Sequence, residues 1–345
     1  MKTKAIAGMV LMLFFVSIML SNMVSVNAIE VDIAPATLNV NNNAGEWITA
    51  YIEPSVLFSD NFDSTTTGSD PVGWTESGVG VWAVVKDPTA PSVGSEGYGD
   101  VYCANASSTL WTRDFSFMTL SPAFGDGIFE FKFKLIDKVG VTERITIPAR
   151  YQDDRNWILF DVDTGINYGR DVYCIFVSKG GVWTLLTRKD VTITKGVWHT
   201  MKIAMKGWNY EMWIDDVKEL STTDTVKAFS SGKIGLGVYR STHAHFDNVL
   251  VTDIDINDLN VDTIQLWDVS DHITDVVPGS ALFGDHDGDG IPDLTIKFDR
   301  ATVANHLRTE GVSGDVELTI KAQVCGTWVS ESDSVRVIAK GKATF

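Results

Sequence analysis

An alternation of apolar and polar residues recurs along nearly the whole chain and constrains its fold more than any other feature. The clearest runs are FEFKFKL (129–135), WHTMKIAMK (198–206), YEMWID (210–215) and HFDNVLV (245–251). Gly, Asp, Asn or Ser falls between such runs, as turn residues do between strands. Because successive side chains of a strand point to opposite faces, these runs predict half-buried strands. The sequence therefore predicts an all-β sandwich with one short helix near residues 301–307.

The first 28 residues have the pattern of a secretory signal peptide. Lys2 and Lys4 make the start basic, residues 5–20 are apolar or small, and small residues precede a cleavage site after Ala28. An uncleaved membrane anchor is the alternative, because the apolar run is long enough for one. No later stretch is apolar enough to span a bilayer. We expect the protein to be secreted or held at the cell surface.

The chain is strongly acidic, with 45 acidic residues against 28 basic ones and a formal charge of −17. The first 28 residues contain two Lys and no acid, so their removal makes the chain still more acidic. Nucleic acids and anionic membrane faces attract basic surfaces. The charge therefore argues against both as partners, and an acidic secreted protein suits a cation-rich exterior. The expected partner is an extracellular glycan or another cell-surface protein.

Two strand-like segments near the start, EVDIAP (30–35) and EWITAYIEP (46–54), have no partner close in sequence. Two strands alone cannot bury a core. A similar pattern resumes at Asp253 and continues to the end of the chain. The sequence therefore predicts a discontinuous host module of residues 29–54 plus 253–345, interrupted by an inserted domain of residues 55–252.

The two ends resemble the halves of a small secreted β module of archaeal type. Five segments carry this resemblance: WITAYIE (47–53), DIDINDLNVDTIQL (253–266), DHDGDGIPDLTIKFDR (285–300), VELT (316–319) and DSVRVI (333–338). The resemblance implies that the Asp-rich segment is a calcium-binding turn between two strands.

The inserted segment resembles the LamG-like, concanavalin-type jelly rolls, including the relatives named for 3-keto-disaccharide hydrolases. Eight motifs occur in the order of that family: LFSDNFDS…GW (57–74), VWAVVKD (81–87), ARYQDDRNWILFDVD (149–163), GGVWTLL (180–186), GVWHTMKIAMKG (196–207), MWIDD (212–216), SGKIGLGVY (231–239) and HFDNVLV (245–251). The resemblance implies a jelly-roll sandwich whose first and last strands lie side by side, so that both ends can enter one host loop.

The segment GDHDGDGIPDL (284–294) follows an EF-hand loop up to its ninth position. Oxygen donors at positions 1, 3, 5, 7 and 9 come from Asp285, Asp287, Asp289, the Ile291 carbonyl and Asp293. Position 12 is Ile296 instead of the bidentate Glu, and the residues after the loop alternate as a strand does. We therefore expect a structural calcium site of the weaker, extracellular kind, roughly 0.1–1 mM. An acidic turn without a cation is the alternative.

The jelly-roll resemblance also implies a second calcium site between the first and last strands of the inserted domain. Its ligands would be Asp60 or Asp63 together with Asp247. The alternative is that these acids only cap turns. Calcium is the only cofactor that the sequence predicts.

The sequence offers little support for catalysis. It contains no E-x-D-x-x-E string of the laminarinase type, and no H-E-x-x-H or G-x-S-x-G motif. Arg150, Gln152 and Trp157 are candidates for a concave sugar-binding face, although Trp157 also suits ordinary packing. Five further tryptophans in framework motifs are predicted to lie in the core: Trp74, Trp82, Trp183, Trp198 and Trp213.

Cys103 and Cys174 each end the tetrapeptide DVYC, so a disulfide between them and a pair of unbridged thiols both remain open. Asn105 begins the only N-glycosylation sequon. His243 and His245 share one face of a predicted strand, where they can bind a metal or simply form a polar strand end.

These features together predict a secreted or cell-surface, calcium-stabilised, non-catalytic protein for adhesion or carbohydrate binding. The keto-disaccharide resemblance leaves a second hypothesis open, a glycoside hydrolase or lyase acting on keto-disaccharides. A third hypothesis is a structural surface-layer component, for which the host module would be suited.

Overall fold

The computed structural model describes the chain in seven segments: residues 29–41, 45–92, 97–106, 112–120, 123–136, 142–288 and 291–339. The chain divides into two compact units. The end unit consists of the residues up to Glu53 together with those from Asn257 onward, and the middle unit consists of Pro54–Ile256. That the middle unit is an inserted domain, independent of the ends, stays a prediction. The predicted signal peptide (1–28) lies outside the described residues.

Most of the described residues lie in strands. Three strands open the chain: β1 (Ile29–Ala34), β2 (Thr37–Asn39) and β3 (Trp47–Pro54). The middle unit contains β4 (Val56–Asp60), β5 (Trp74–Ser77), β6 (Val81–Asp87), β7 (Gly99–Asn105), β8 (Arg113–Met118), β9 (Gly127–Leu135), β10 (Arg144–Asp153), β11 (Asn156–Thr164), β12 (Asp171–Lys179), β13 (Val182–Asp190), β14 (His199–Lys206), β15 (Asn209–Ile214), β16 (Val217–Thr223), β17 (Gly235–Tyr239) and β18 (His243–Thr252). After a 3-10 turn (Ile256–Asp258) follow β19 (Leu259–Trp267), β20 (His272–Asp275), β21 (Leu282–Gly284), β22 (Asp293–Asp299), the helix α1 (Arg300–Thr309), β23 (Gly314–Val324) and β24 (Thr327–Ile338).

The predicted fold class is confirmed: the chain is all-β with a jelly-roll sandwich, and α1 contains the predicted short helix. The side chain of Asp299 caps the first turn of α1 by accepting a hydrogen bond from the backbone N–H of Thr302. Within the described part of the chain, no helix has the length and hydropathy that a membrane span requires.

The end unit contains two sheets. One has the strand order β1-β3-β22-β21 and the other β2-β24-β23-β19-β20. Strands β21 and β22 are antiparallel neighbours, with Gly284 opposite Asp293. In β22 the apolar side chains Leu294, Ile296 and Phe298 are buried. The Asp-rich loop therefore joins two adjacent strands, as predicted, and is not followed directly by the helix of an EF-hand.

The middle unit is a sandwich of two antiparallel sheets. The seven-stranded sheet has the order β13-β12-β11-β10-β17-β8-β5, and the eight-stranded sheet has the order β16-β15-β14-β9-β18-β7-β6, with β4 paired to β18. This pairing, in which Asp60 lies opposite Val249, confirms that the first and last strands are neighbours. Alternate residues, such as Phe131 on β9 and Phe160 on β11, form one core between the sheets. The residues that alternate with these core residues along each strand face outward.

Candidate functional site

The outward face of the seven-stranded sheet carries charged and aromatic side chains in place of the usual solvated surface. On β11, Phe160 and Val162 belong to the core between the sheets, so Trp157, Asp161 and Asp163 face outward. Trp157 belongs to a second, smaller apolar cluster on this face. We call this surface the outer face.

A buried ion pair lies at the centre of the outer face. The Arg144 guanidinium bonds the Asp161 carboxylate, and Thr146 lies directly opposite Asp161 on the neighbouring strand. The guanidinium carbon of Arg144 is 5.8 Å from the ring centroid of Phe176 and 5.1 Å from that of Tyr239. Burial acts to lower the pKa of Arg144, but the Asp161 carboxylate outweighs it and raises that pKa. Arg144 therefore stays positively charged although it is buried beside the rings of Phe176 and Tyr239.

Arg113 forms a second cation–aromatic arrangement on the same face. Its guanidinium carbon lies 4.4 Å from the ring centroid of Trp183, 4.8 Å from that of Trp157 and 5.9 Å from that of Tyr239. The two indoles meet edge to face with their centroids 4.7 Å apart. Trp183 is 50% exposed, whereas Trp157 is fully buried. Burial lowers the pKa of Arg113, and nearby Asp161 opposes this effect.

Several polar atoms of the outer face are buried without a hydrogen-bond partner among the described residues. They are Nε of Arg113, Nε of Arg144, Oγ1 of Thr146 and Oδ1 of Asp161. An unsatisfied buried polar group costs about 1–3 kcal/mol. Four such atoms lie on the outer face, which also carries the half-exposed indole of Trp183.

Two of the three predicted sugar-binding residues take no part in this surface. The guanidinium of Arg150 is fully buried and donates hydrogen bonds to the carbonyl oxygens of Gly125, Gly207 and Phe229. Gln152 is exposed, but its Nε2 donates to the carbonyls of Arg150 and Ser231. Arg150 thus joins loops of the fold and cannot reach a sugar, which corrects the prediction for that residue.

Trp157 is packed, as the sequence analysis allows, whereas Trp183 does not lie in the predicted core. Trp157 does lie on the outer face, but it is buried and its Nε1 donates to the Asp154 carbonyl. Trp183, predicted to be a core residue, is the exposed ring because it lies on the edge strand β13. Of the other tryptophans predicted for the core, Trp82 is buried and three are only half-buried: Trp74, Trp198 and Trp213.

The Asp-rich loop of the end unit brings three carboxylates together. One oxygen from each of Asp285, Asp287 and Asp293 lies within 4.8 Å of the others. Asp293 is buried, its Oδ2 accepts from the backbone N–H of His286, and its Oδ1 has no partner among the described residues. A buried, unsatisfied carboxylate oxygen beside two further carboxylates fits a hard cation. Asp289 lies outside the described residues.

The second predicted calcium site is less complete. Asp247 is buried, and its pKa is raised to about 7, mainly by burial and further by the carboxylates of Asp63 and Asp60. Asp60 is already engaged, because Oδ1 accepts from the N–H of Phe62 and Oδ2 from Nε1 of Trp74, each at 2.8 Å. Asp60 therefore serves partly as a turn cap, and the calcium assignment stays a prediction.

Of the two alternatives left open for Cys103 and Cys174, the structure shows the unbridged thiols. Their neighbours Tyr102 and Tyr173 belong to the core between the sheets, so the two thiols face outward from opposite sheets. Sandwiched sheets lie about 10 Å apart, which is too far for a bridge even without this divergence. Asn105, at the end of β7, is exposed, as a glycosylated residue must be.

A family model described as the 3-keto-alpha-glucoside-1,2-lyase-like domain matches residues 58–252, more than half of the chain. This match confirms the resemblance that the ordered motifs of the middle segment predict. No curated protein matches the chain.

Solved structures resemble the chain only distantly. A carbohydrate-binding module CBM66 from Bacillus subtilis is 21% identical over 52% of this chain and 95% of its own, with a TM-score of 0.39. A Bacteroides ovatus mixed-linkage glucan GH16 protein is 14% identical over 57% of this chain and 100% of its own, with a TM-score of 0.43. The Emp46p carbohydrate recognition domain is 11% identical over 59% of this chain and 99% of its own, with a TM-score of 0.43.

Proposed function

The chain belongs to the 3-keto-alpha-glucoside-1,2-lyase-like domain family through residues 58–252, and we propose that it is a secreted or cell-surface protein that binds an extracellular carbohydrate without cleaving it. One observation carries this proposal: the Arg113 guanidinium stacks on the half-exposed Trp183 beside buried polar atoms that lack partners among the described residues. A sugar ring has an apolar face that packs on an indole and hydroxyls that form hydrogen bonds.

The unsatisfied atoms suit the hydroxyl groups of a sugar. Nε of Arg113 and Nε of Arg144 are donors, whereas Oδ1 of Asp161 is an acceptor. A hydroxyl both donates and accepts, so it satisfies either kind of atom. These atoms are covered in the free protein. Binding through them therefore requires the side chains that cover them to rearrange.

The carboxylates of the outer face support a binding role over a catalytic one. Asp161 is held in the ion pair with Arg144. Asp163 accepts hydrogen bonds from the backbone N–H groups of Gly165, Ile166 and Asn167, so it caps a turn. Glycoside hydrolysis normally needs two carboxyl groups that are available to the substrate. Both acids named here have structural partners instead.

Calcium has a structural role in this proposal. Asp285, Asp287, Asp289 and Asp293, with the Ile291 carbonyl, would hold one ion in the β21–β22 loop and stabilise the end unit. The convergence of three of these carboxylates and the unsatisfied oxygen of Asp293 support this assignment. A second ion at Asp247, with Asp60 or Asp63, would neutralise the acids that surround the buried Asp247 in the middle unit.

A glycan array probed with the full chain tests the proposal, with and without calcium. We expect retention on a restricted set of oligosaccharides. Trp183→Ala should weaken it on the order of tenfold, since an aromatic contact contributes about 1 kcal/mol or more. Trp213→Ala is the matched control, because Trp213 is also flanked by cations, Lys202 and Lys218, but belongs to the eight-stranded sheet. Absence of any glycan binding, or loss in Trp213→Ala alone, would overturn the proposal.

Family membership favours one alternative, a lyase or hydrolase that acts on keto-disaccharides. Incubation of the full chain with a 3-keto-disaccharide, followed by chromatography of the products, distinguishes the two. The binding proposal predicts no product above the uncatalysed control. Turnover that disappears when a single acid of the middle unit is replaced would favour the enzyme.

A further inference from the structure

The outward face of the eight-stranded sheet brings one cysteine and two histidines together. Strands β7 and β18 are antiparallel neighbours, and Cys103 lies directly opposite His245. Ala104 and Ala244 belong to the core, so the alternate residues Cys103, His243 and His245 all face outward on this sheet. Cys103 is 7% exposed, and both histidines are half-buried. An ion can therefore reach this cluster from solvent.

The ligand atoms of the cluster are at coordination spacing. One sulfur or nitrogen atom of each of Cys103, His243 and His245 lies within 4.8 Å of the others. Sγ of Cys103 is 3.3 Å from Nε2 of His243, and the two imidazole centroids are 5.4 Å apart. A tetrahedral zinc ion with Zn–S of about 2.3 Å and Zn–N of about 2.0 Å separates S and N by roughly 3.5 Å. The observed spacing agrees with that separation.

A carboxylate orients one of the imidazoles from behind. Oδ2 of Asp87 lies 2.7 Å from Nδ1 of His245, which leaves Nε2 of His245 as the ligand atom. Asp87 is itself fixed, because Oδ1 accepts from the backbone N–H and hydroxyl of Thr89 and Oδ2 bonds the Lys134 ammonium. Metal-bound histidines commonly donate their second N–H to a carboxylate, which fixes the tautomer and the ring. The cluster thus contains three residues at ligand positions, Cys103, His243 and His245. Asp87 is the carboxylate that orients His245.

The charges around the cluster also suit a divalent transition metal ion. The ammonium of Lys134 is neutralised by Asp87 and lies over the ring of Trp198, with Nζ 5.1 Å from its centroid. One thiolate and two neutral imidazoles leave a bound divalent ion with a charge of about +1. Sulfur and imidazole ligands favour zinc over calcium or magnesium, which prefer oxygen.

We propose that Cys103, His243 and His245 form a zinc site, with Asp87 as the positioning residue for His245 and a fourth coordination position left for water or a ligand. Binding releases the thiol proton of Cys103, because the thiolate is the ligand. The site is separate from the outer face of the other sheet and from the oxygen-rich calcium loop, so it does not depend on the proposed function.

Cobalt substitution tests the site in the full chain. After chelator treatment under reducing conditions, added Co²⁺ should produce thiolate-to-cobalt charge-transfer absorption at one ion per chain, and Zn²⁺ should displace it. Cys103→Ser should abolish the absorption, and Zn²⁺ should protect Cys103 of the wild type from alkylation. Cys174→Ser and Cys325→Ser are the controls, because the other two cysteines lie outside the cluster.

Asp87→Asn separates positioning from coordination. It should retain the cobalt–thiolate absorption but bind Zn²⁺ about 10- to 100-fold more weakly. The proposal is wrong if Co²⁺ gives no thiolate absorption in the wild type, if the absorption survives Cys103→Ser, or if Zn²⁺ leaves the alkylation rate of Cys103 unchanged. The alkylation assay uses only the wild-type chain, so it tests the site even where a variant fails to fold.

Discussion

The guanidinium carbon of Arg113 lies 4.4 Å from the ring centroid of Trp183 and 4.8 Å from that of Trp157, so one cation touches an exposed indole and a buried one. The buried ring is fixed by packing and by its hydrogen bond to Asp154. Arg113 therefore couples Trp183 to a rigid part of the seven-stranded sheet, which preorganises an exposed ring that would otherwise sample several rotamers.

We expect Arg113→Ala to lower the affinity for any glycan bound at the outer face about 5- to 150-fold. The change removes a stacking partner of Trp183 and a hydrogen-bond donor, each worth roughly 0.5–1.5 kcal/mol. Isothermal titration calorimetry measures the effect. Lys202→Ala, which removes a cation beside Trp213 instead, is the control and should leave the affinity unchanged. Equal affinities in wild type and Arg113→Ala would contradict the assignment.

The buried pair of Arg144 and Asp161 gives a prediction about stability. Asp161→Asn removes the carboxylate that pairs with the buried Arg144 charge, so the free energy of unfolding should fall by about 3–5 kcal/mol. Replacing both residues together, with Arg144→Met and Asp161→Leu, should recover much of this loss, because apolar side chains of similar size carry no charge to desolvate. Urea unfolding followed by circular dichroism measures both variants. A loss below about 1 kcal/mol in Asp161→Asn would show that water reaches the pair.

Glu130 makes the stability of the middle unit depend on pH. Its pKa is raised above the ordinary 4.5, first by burial and then by Asp216 and Asp255, with Lys202 opposing. Because the pKa of Glu130 is higher in the folded state than in the unfolded state, Glu130 contributes to the free energy of unfolding below pH 4.5. This contribution is lost as pH rises through the folded-state pKa. Glu130→Gln should therefore gain stability relative to wild type as pH increases above 4.5. Urea unfolding of both proteins across that range checks this, and a difference that stays constant with pH would refute it.

Calcium should stabilise the end unit through the β21–β22 loop. A ligand that binds only the folded state adds about 2.7 kcal/mol at 100 times its Kd, which raises Tm by roughly 10 °C for a unit of this size. Asp287→Ala removes a side-chain ligand at the third loop position and should abolish the calcium-dependent rise. Asp262→Ala, which replaces an acid elsewhere in the same unit, should retain it. Scanning calorimetry of both variants and the wild type, with calcium and with chelator, measures this effect. If neither calcium nor chelator changes the Tm of the wild type, the loop is an acidic turn that binds no calcium.

Much of the fold follows from the sequence because the alternation of apolar and polar residues matches the buried and exposed faces of the strands. Strands β9, β14 and β18 lie where the alternating runs predict them, and the Asp-rich loop joins two strands. The convergence of Asp285, Asp287 and Asp293 also follows from their spacing in one short loop. Local patterns of this kind depend on neighbours in sequence, which the sequence alone specifies.

The binding candidates are harder to predict because they depend on which face and which strand a side chain occupies. The pairing of β10 with β11 is irregular between Ala149 and Asp153, and Arg150 has a φ of +46°. Such an irregularity shifts the alternation of faces, which explains why Arg150 turns into the fold although its neighbours suggest an exposed strand. Trp183 is exposed because β13 is an edge strand, and the order of strands in a sheet cannot be read from one segment.

The central claim is that a carbohydrate binds at the outer face beside Trp183, and indole NMR tests it most directly. In a chain labelled with ¹⁵N at tryptophan, titration with an oligosaccharide selected on the array should shift the Nε1 resonance of Trp183. It should leave that of Trp213, on the other sheet, in place. Single-tryptophan variants assign the two signals. A ligand that binds while the Trp183 resonance stays fixed, or that shifts Trp213 instead, would contradict the claim.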